Sequence, residues 1–211
     1  MSAARNVRSS KQTPNVYCCV WVMHAQAVRI PSAGDVALEA QFHLPAHPSG
    51  VVVLAAGGGA IATALAGFDF ATLLFDLQVT EEDEHDIGLI ARRVLDVIDW
   101  ARRQSALEQM PAAVFGAGSS AAAALVAASE RLEVVHAVIS HEGRPDLAGA
   151  ALERVEAPTL LVVDAAHAGL VDMNRDAMHR MHAHVELELA APAQVASLTA
   201  EWCQRYLWSM A

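Results

Sequence analysis

The residues best suited to chemistry lie in the middle of the chain. Ser119 and Ser120 come between an apolar run, Ala112 to Phe115, and a run of alanines, in the order Gly116-Ala117-Gly118-Ser119-Ser120-Ala121-Ala122. A serine at a strand-to-helix junction is where acyl transfer would place its nucleophile, and the first amides of the helix could form half of an oxyanion hole. An imidazole must then take the hydroxyl proton. His141, in the loop after the apolar run Val134 to Ile139, is the candidate base for either serine. Each residue also has a structural reading: one serine can cap the helix, and His141 can be a solvent-facing loop histidine.

Other candidates are less complete. His167 lies beyond the run Thr159 to Val163 and can form a polar pair with Asp164. His179 and His182 share one helix face, and His184 follows them, but no cysteine or carboxylate motif completes a metal set. Cations near a helix C-terminus explain the three as well. Gly57-Gly58-Gly59 follows Val51 to Leu54 and can border a ligand, together with Gly118. It lacks both the G-x-G-x-x-G pattern and the Lys-Ser/Thr of a phosphate loop. No metal ligand is assigned and no cofactor is expected.

These residues need a scaffold, and the hydropathy pattern supplies one. Val28–Ile30 and Val36–Phe42 read as a hairpin. Val51–Leu54, Phe70–Asp76, Ala112–Phe115, Val134–Ile139 and Thr159–Val163 are short continuous apolar runs, as in strands buried on both faces. Helices are expected over Ala60–Ala66, from Ile87 onward, and over Ser120–Ser129, Ala148–Val155, Gly169–Met181 and Ala193–Leu207. Val185–Leu189 alternates like an edge strand. Strands alternating with helices imply right-handed crossovers and a mostly parallel sheet of seven to eight strands with helices on both faces. Ligands then bind at the carboxyl ends of the strands. His184 precedes the last strand, which puts it at the opposite end.

At 211 residues the chain suits one domain, expected over 27–211, with an N-terminal extension over 1–26. The net charge of −10, without a basic patch, excludes a nucleic-acid role. No run of about 20 apolar residues exists to span a membrane. Cys18, Cys19 and Cys203 are odd in number, with two adjacent, which fits a reducing compartment and a cytoplasmic protein. Basic residues before Val16–Met23, then Ala25-Gln26-Ala27, sketch an export signal. That run is short and carries Tyr and Cys. Met23 is an alternative start.

The segments Val28–Pro45, Val51–Gly59, Gly67–Leu77, Asp86–Trp100, the Gly116–Ser120 turn with its alanine helix, Gly143–Gly149 and Ala157–Val163 together resemble the α/β-hydrolase superfamily, in its dienelactone-hydrolase-like branch. The resemblance implies ester or lactone hydrolysis by a nucleophile–histidine–acid triad. It also implies where each member belongs. The oxyanion-loop His-Gly falls on Ala56-Gly57 and the nucleophile on Gly118. The acid falls on His167, with Asp164 three residues earlier. The triad histidine belongs after the last strand, where only Ala190-Ala191-Pro192 precede the final helix, and no histidine follows His184. The sequence therefore points to a non-catalytic member that binds a small carboxylic or ester ligand or pairs with another chain. Self-association is expected through Tyr17–Met23 or Val185–Leu189. The alternative is a weak serine ester or lactone hydrolase using Ser119 or Ser120 with His141.

Overall fold

Eight strands form one sheet in the computed structural model, which describes residues 25–33, 36–55, 58–80, 83 and 85–208. In chain order they are β1 (Gln26–Ser32), β2 (Val36–His43), β3 (Gly50–Ala55), β4 (Phe70–Phe75), β5 (Ala112–Ala117), β6 (Val135–His141), β7 (Thr159–Val163) and β8 (Val185–Leu189). Their order across the sheet is β1-β2-β4-β3-β5-β6-β7-β8. The first two pairings, β1 with β2 and β2 with β4, are antiparallel; the other five are parallel. The N-terminal extension lies outside the described residues except for Ala25 and Gln26, and Tyr17–Met23 lies outside them entirely.

Burial explains the division between strand types. Every residue of β3 and β7 is buried, because helices cover both faces there. In β2, by contrast, Leu38, Ala40 and Phe42 point into the core while Ala37, Glu39 and Gln41 stay exposed. One face carries α2 (Ile87–Arg102), α3 (Ser119–Glu130) and α4 (Ala168–Arg180); the other carries α1 (Gly59–Leu65) and α5 (Val195–Leu207). The alanines of α3 let it lie close to the sheet: Ala121 to Ala124, Ala127 and Ala128 are all buried. Helix α2 starts on Asp86, whose carboxylate accepts the Leu89 amide at 3.0 Å, a cap worth about 1 kcal/mol. No helix among the described residues is long and apolar enough to cross a membrane.

One expected element is irregular. The helix expected over Ala148–Val155 takes the form of a 3-10 run, Pro145–Arg154, broken at Gly149 with φ 57° and ψ −127°. Gly149, whose torsions are not helical, interrupts the ladder, whereas Pro145 suits the first turn, where its missing N–H would have no partner anyway.

Candidate functional site

The carboxyl ends of β5, β6 and β7 meet around Gly118. Gly116 allows the approach of strand and helix: a Cβ there would lie 2.4 Å from the Ser120 carbonyl oxygen and 2.6 Å from Ala121 Cα. Gly118 then turns the chain with φ 57° and ψ −124°, and nothing lies within 4 Å of the place its Cβ would take. Those torsions suit glycine and force a sharp strand-to-helix reversal, the geometry of a nucleophile elbow. Both peptide groups of Gly118 are held by the end of β6 and the loop after it. Its N–H donates to the His141 carbonyl at 3.1 Å, and its C=O accepts from the Arg144 N–H at 3.2 Å.

The two serines differ in their surroundings. Ser120 is 2% exposed. Its Oγ accepts from the Ala117 N–H at 2.9 Å and lies 2.6 Å from the Ala55 carbonyl and 2.8 Å from the Ala117 carbonyl. It ties the end of β3 to the end of β5. The side-chain cap considered for the start of α3 is not formed, since Gly118 occupies that position. Ser119 is half-buried, and its hydroxyl makes no hydrogen bond among the described residues.

His141 sits beside Ala117 in the β5–β6 register, so it shares the elbow's end of the sheet. Its ring is half-buried, tilted by 34° against Phe115 at a centroid distance of 6.4 Å. Burial holds this imidazole below its ordinary pKa, with Glu142 pulling the other way. The neutral ring is therefore favoured. It makes no hydrogen bond to Ser119 or Ser120.

His167 does not pair with Asp164. Its Nδ1 lies 2.8 Å from Glu142 Oε2, while Glu142 Oε1 accepts the Asp164 N–H at 2.5 Å. The Asp164 carboxylate turns back to the Ala166 N–H at 2.9 Å. Glu142 holds φ 47°, a left-handed conformation uncommon for a side chain of its size. No motif in the sequence marks Glu142; its place directly after β6, one strand from the acid loop, is the only signal there. Arg144 clamps Asp146 through two bonds of 3.0 and 2.8 Å, which hold the Asp146 carboxyl below its usual value.

Of the glycine loop, Gly57 lies outside the described residues. Gly58 packs so closely on Leu54 and Leu74 that a Cβ would come within 3.1–3.2 Å of them, and Gly59 is exposed. Beyond β8, Ala190 and Ala191 lead straight into a 3-10 turn, Pro192–Gln194, and then into α5. His184 is at the far end of the sheet, stacked on Trp202 at 6.1 Å and 3.0 Å from a Glu186 oxygen. His179 and His182 are exposed, and no group of three or more His, Cys, Asp or Glu among the described residues could hold a metal ion. A groove of about 690 Å³ opens elsewhere, over β2 and β4, between Gln41, Phe75, Leu77 and Val79.

The sheet order, the crossovers and the elbow turn define an α/β-hydrolase. A crystal structure of a dienelactone hydrolase from Anabaena variabilis is 34% identical and superposes with a TM-score of 0.80, covering 87% of this chain and 98% of that one. The chain belongs to the dienelactone-hydrolase-like branch of the α/β-hydrolase superfamily. The fold extends to Est1E from Butyrivibrio proteoclasticus, with a TM-score of 0.71 at 12% identity over 85% of this chain and 98% of that one. It also extends to a dienelactone-hydrolase-like promiscuous phosphotriesterase from metagenomic libraries, with a TM-score of 0.63 at 18% identity over 80% and 82%. No protein-family profile matches the chain. Proteins from two Mycobacterium tuberculosis strains, provisionally named phosphoribosyl transferases, are 37% identical over 195 residues, 81% of this chain and 44% of their own length. The chain spans less than half the length of these curated relatives.

Proposed function

We propose that this chain does not run the covalent acyl-transfer cycle of its superfamily and acts instead by binding a small carboxylic or ester ligand or a partner chain. The observation that carries this reading is the elbow itself. Gly118 has the torsions of the nucleophile position without a side chain, and the nearest buried hydroxyl, Ser120, is engaged with the Ala55 and Ala117 backbone. A nucleophile needs a base within hydrogen-bond reach, and the base needs an orienting group. Here the oriented histidine, His167, is fixed by Glu142, and the short connection after β8 leaves no place for the usual base. Loss of nucleophile, acid and base positions together supports the reading better than any single loss. A cytoplasmic protein of one domain over 27–211, associating with itself or with another chain, is consistent with it.

The second reading, a weak serine hydrolase, draws on Ser119. Its hydroxyl is uncommitted, and His141, one strand away, is held neutral, as a base must be. Intact-mass analysis after incubation with a fluorophosphonate separates the two. The binding reading expects the mass of the folded protein to stay unchanged. A stoichiometric adduct mapped to Ser119 or Ser120, abolished by Ser119→Ala or Ser120→Ala and reduced by His141→Ala, would establish the hydrolase instead.

A further inference from the structure

One part of the sheet is open on one face. Helix α2 lies against β1 from one side, while on the other side α1 packs on β4 and α5 on β5 and β6. On that second side β1 presents Ala27, Arg29 and Pro31, which stand opposite Gln41, Glu39 and Ala37 of β2, and all six are exposed. Gln41 in turn stands opposite Leu74 of β4. The groove of about 690 Å³ runs along this face, with Ala27, Leu74, Leu77 and Val79 among its walls. Its charges are uneven. Arg29 answers Glu39 at 2.7 Å. The Asp76 carboxylate, also in the wall, takes only the Gln78 N–H at 2.9 Å and meets no cation among the described residues.

The stretch of sequence directly before β1 complements this face. Residues 16–23, Val-Tyr-Cys-Cys-Val-Trp-Val-Met, are apolar and uncharged. Arg5, Arg8 and Lys11 precede them, and no acidic residue occurs in 1–24, although the whole chain stands at −10. In an extended chain Tyr17, Cys19, Trp21 and Met23 share one side, and the two aromatic rings supply most of the area that could be buried. Position and reach agree. Met23 is three residues from Gln26, where β1 begins, and Ala27 already lines the groove. Neighbouring strands lie about 4.8 Å apart, so crossing from β1 to β4 takes about 10 Å. Eight extended residues reach about 27 Å, which leaves room for a reversal before β1. A tethered segment also meets the face at an effective concentration of about a millimolar, above that of a second copy in dilute solution.

We propose that residues 16–23 bind in cis across the open face of β1, β2 and β4, filling the groove with Tyr17 and Trp21, while the basic residues ahead of them answer Asp76. The apolar run then completes its own domain rather than joining two copies.

The test is chymotrypsin cleavage after Tyr17 and Trp21 in the full chain. Cleavage that requires undocking should run at least tenfold slower than in a synthetic peptide of residues 12–26, at a rate independent of protein concentration. Gln41→Lys, which sets a charge under the aromatic side chains, should bring the rate back to that of the peptide. Asp76→Asn should raise it about twofold at low salt and not at all at about 1 M salt. Cleavage of the wild type at the peptide's rate overturns the proposal. So does protection that Gln41→Lys leaves intact. Protection that grows with protein concentration assigns the segment to a second copy and overturns it too. Should Gln41→Lys fail to fold, Ala27→Lys on the neighbouring strand gives the same reading.

Discussion

Gly118 and Gly149 hold almost the same backbone torsions, 57°/−124° and 57°/−127°, and neither has an atom within 4 Å of where a Cβ would sit. Yet one forms the elbow at the ligand end of the sheet and the other breaks a 3-10 run on the helical face. At Gly149 the carbonyl takes a bond from Arg180 at 2.8 Å, and the turn serves packing. At Gly118 both peptide groups are fixed by the end of β6 and the loop after it, and the turn leads from β5 directly into α3. The torsion therefore reports a sharp reversal and nothing about chemistry. What separates the two glycines is which strand ends surround them and which side chains those ends carry.

The change expected to disturb this comparison most is at neither glycine. Gly116→Ala would push a methyl into the Ser120 and Ala121 backbone, which cannot yield as a flexible side chain would. Helix α3 must then lift from β5, and denaturant unfolding should show a loss of about 3 kcal/mol or more. The next effect tests the comparison directly. Gly118→Ala and Gly149→Ala meet no steric obstacle, so each should lose only the torsional cost, about 1–2 kcal/mol, and by similar amounts. A much larger loss at Gly118 would mean that the elbow stores strain the 3-10 run does not. Gly118→Ser should match Gly118→Ala in stability and remain unlabelled by a fluorophosphonate, because a restored hydroxyl still lacks its base.

The frame of this site was readable in the sequence to different depths. The runs of β3 to β7 declared themselves because strands buried on both faces must be continuously apolar, and the elbow declared itself through Gly116 and Gly118. The apolar spacing over Ala148–Val155 marks a helix without telling which ladder it follows, and only the torsions of Gly149 reveal the broken 3-10 run. The pairing of His167 with Glu142 in place of Asp164 was invisible, because it joins residues 25 positions apart whose neighbourhood exists only once β6 and β7 are side by side. Ser120 shows the same limit: its spacing suits a nucleophile or a cap, and its actual partner, Ala55, is 65 residues away.

A smaller effect distinguishes the elbow's surroundings by pH. Burial lowers the His141 pKa from 6.5, so the unfolded chain binds a proton there more readily than the folded one. Stability from this residue is fully present above pH 6.5 and falls as pH drops from 6.5 toward the lower folded value. Asp99 and Asp146 act in a separate, more acidic window, because their lowered values start from 3.8. Unfolding curves between pH 7.5 and the onset of that carboxylate window should thus slope less for His141→Gln than for the wild type. An unchanged slope would place the ring in water rather than against Phe115.

The smallest effect concerns Glu142, the residue beside the elbow that adopts a left-handed conformation without being glycine. Its torsion costs about 1 kcal/mol, offset by the bonds to the Asp164 amide and to His167. Glu142→Gln keeps an oxygen for the amide and loses only the charge facing an exposed imidazole. It should cost about 0.5 kcal/mol or less, a difference that about 1 M salt removes. Glu142→Gly gives up both bonds but relieves the torsion, so its net change should be near zero. A salt-independent loss well above 1 kcal/mol for Glu142→Gln would make the carboxylate a brace of the 141–144 loop. Gly118 would then differ from Gly149 in mechanical support as well as in position.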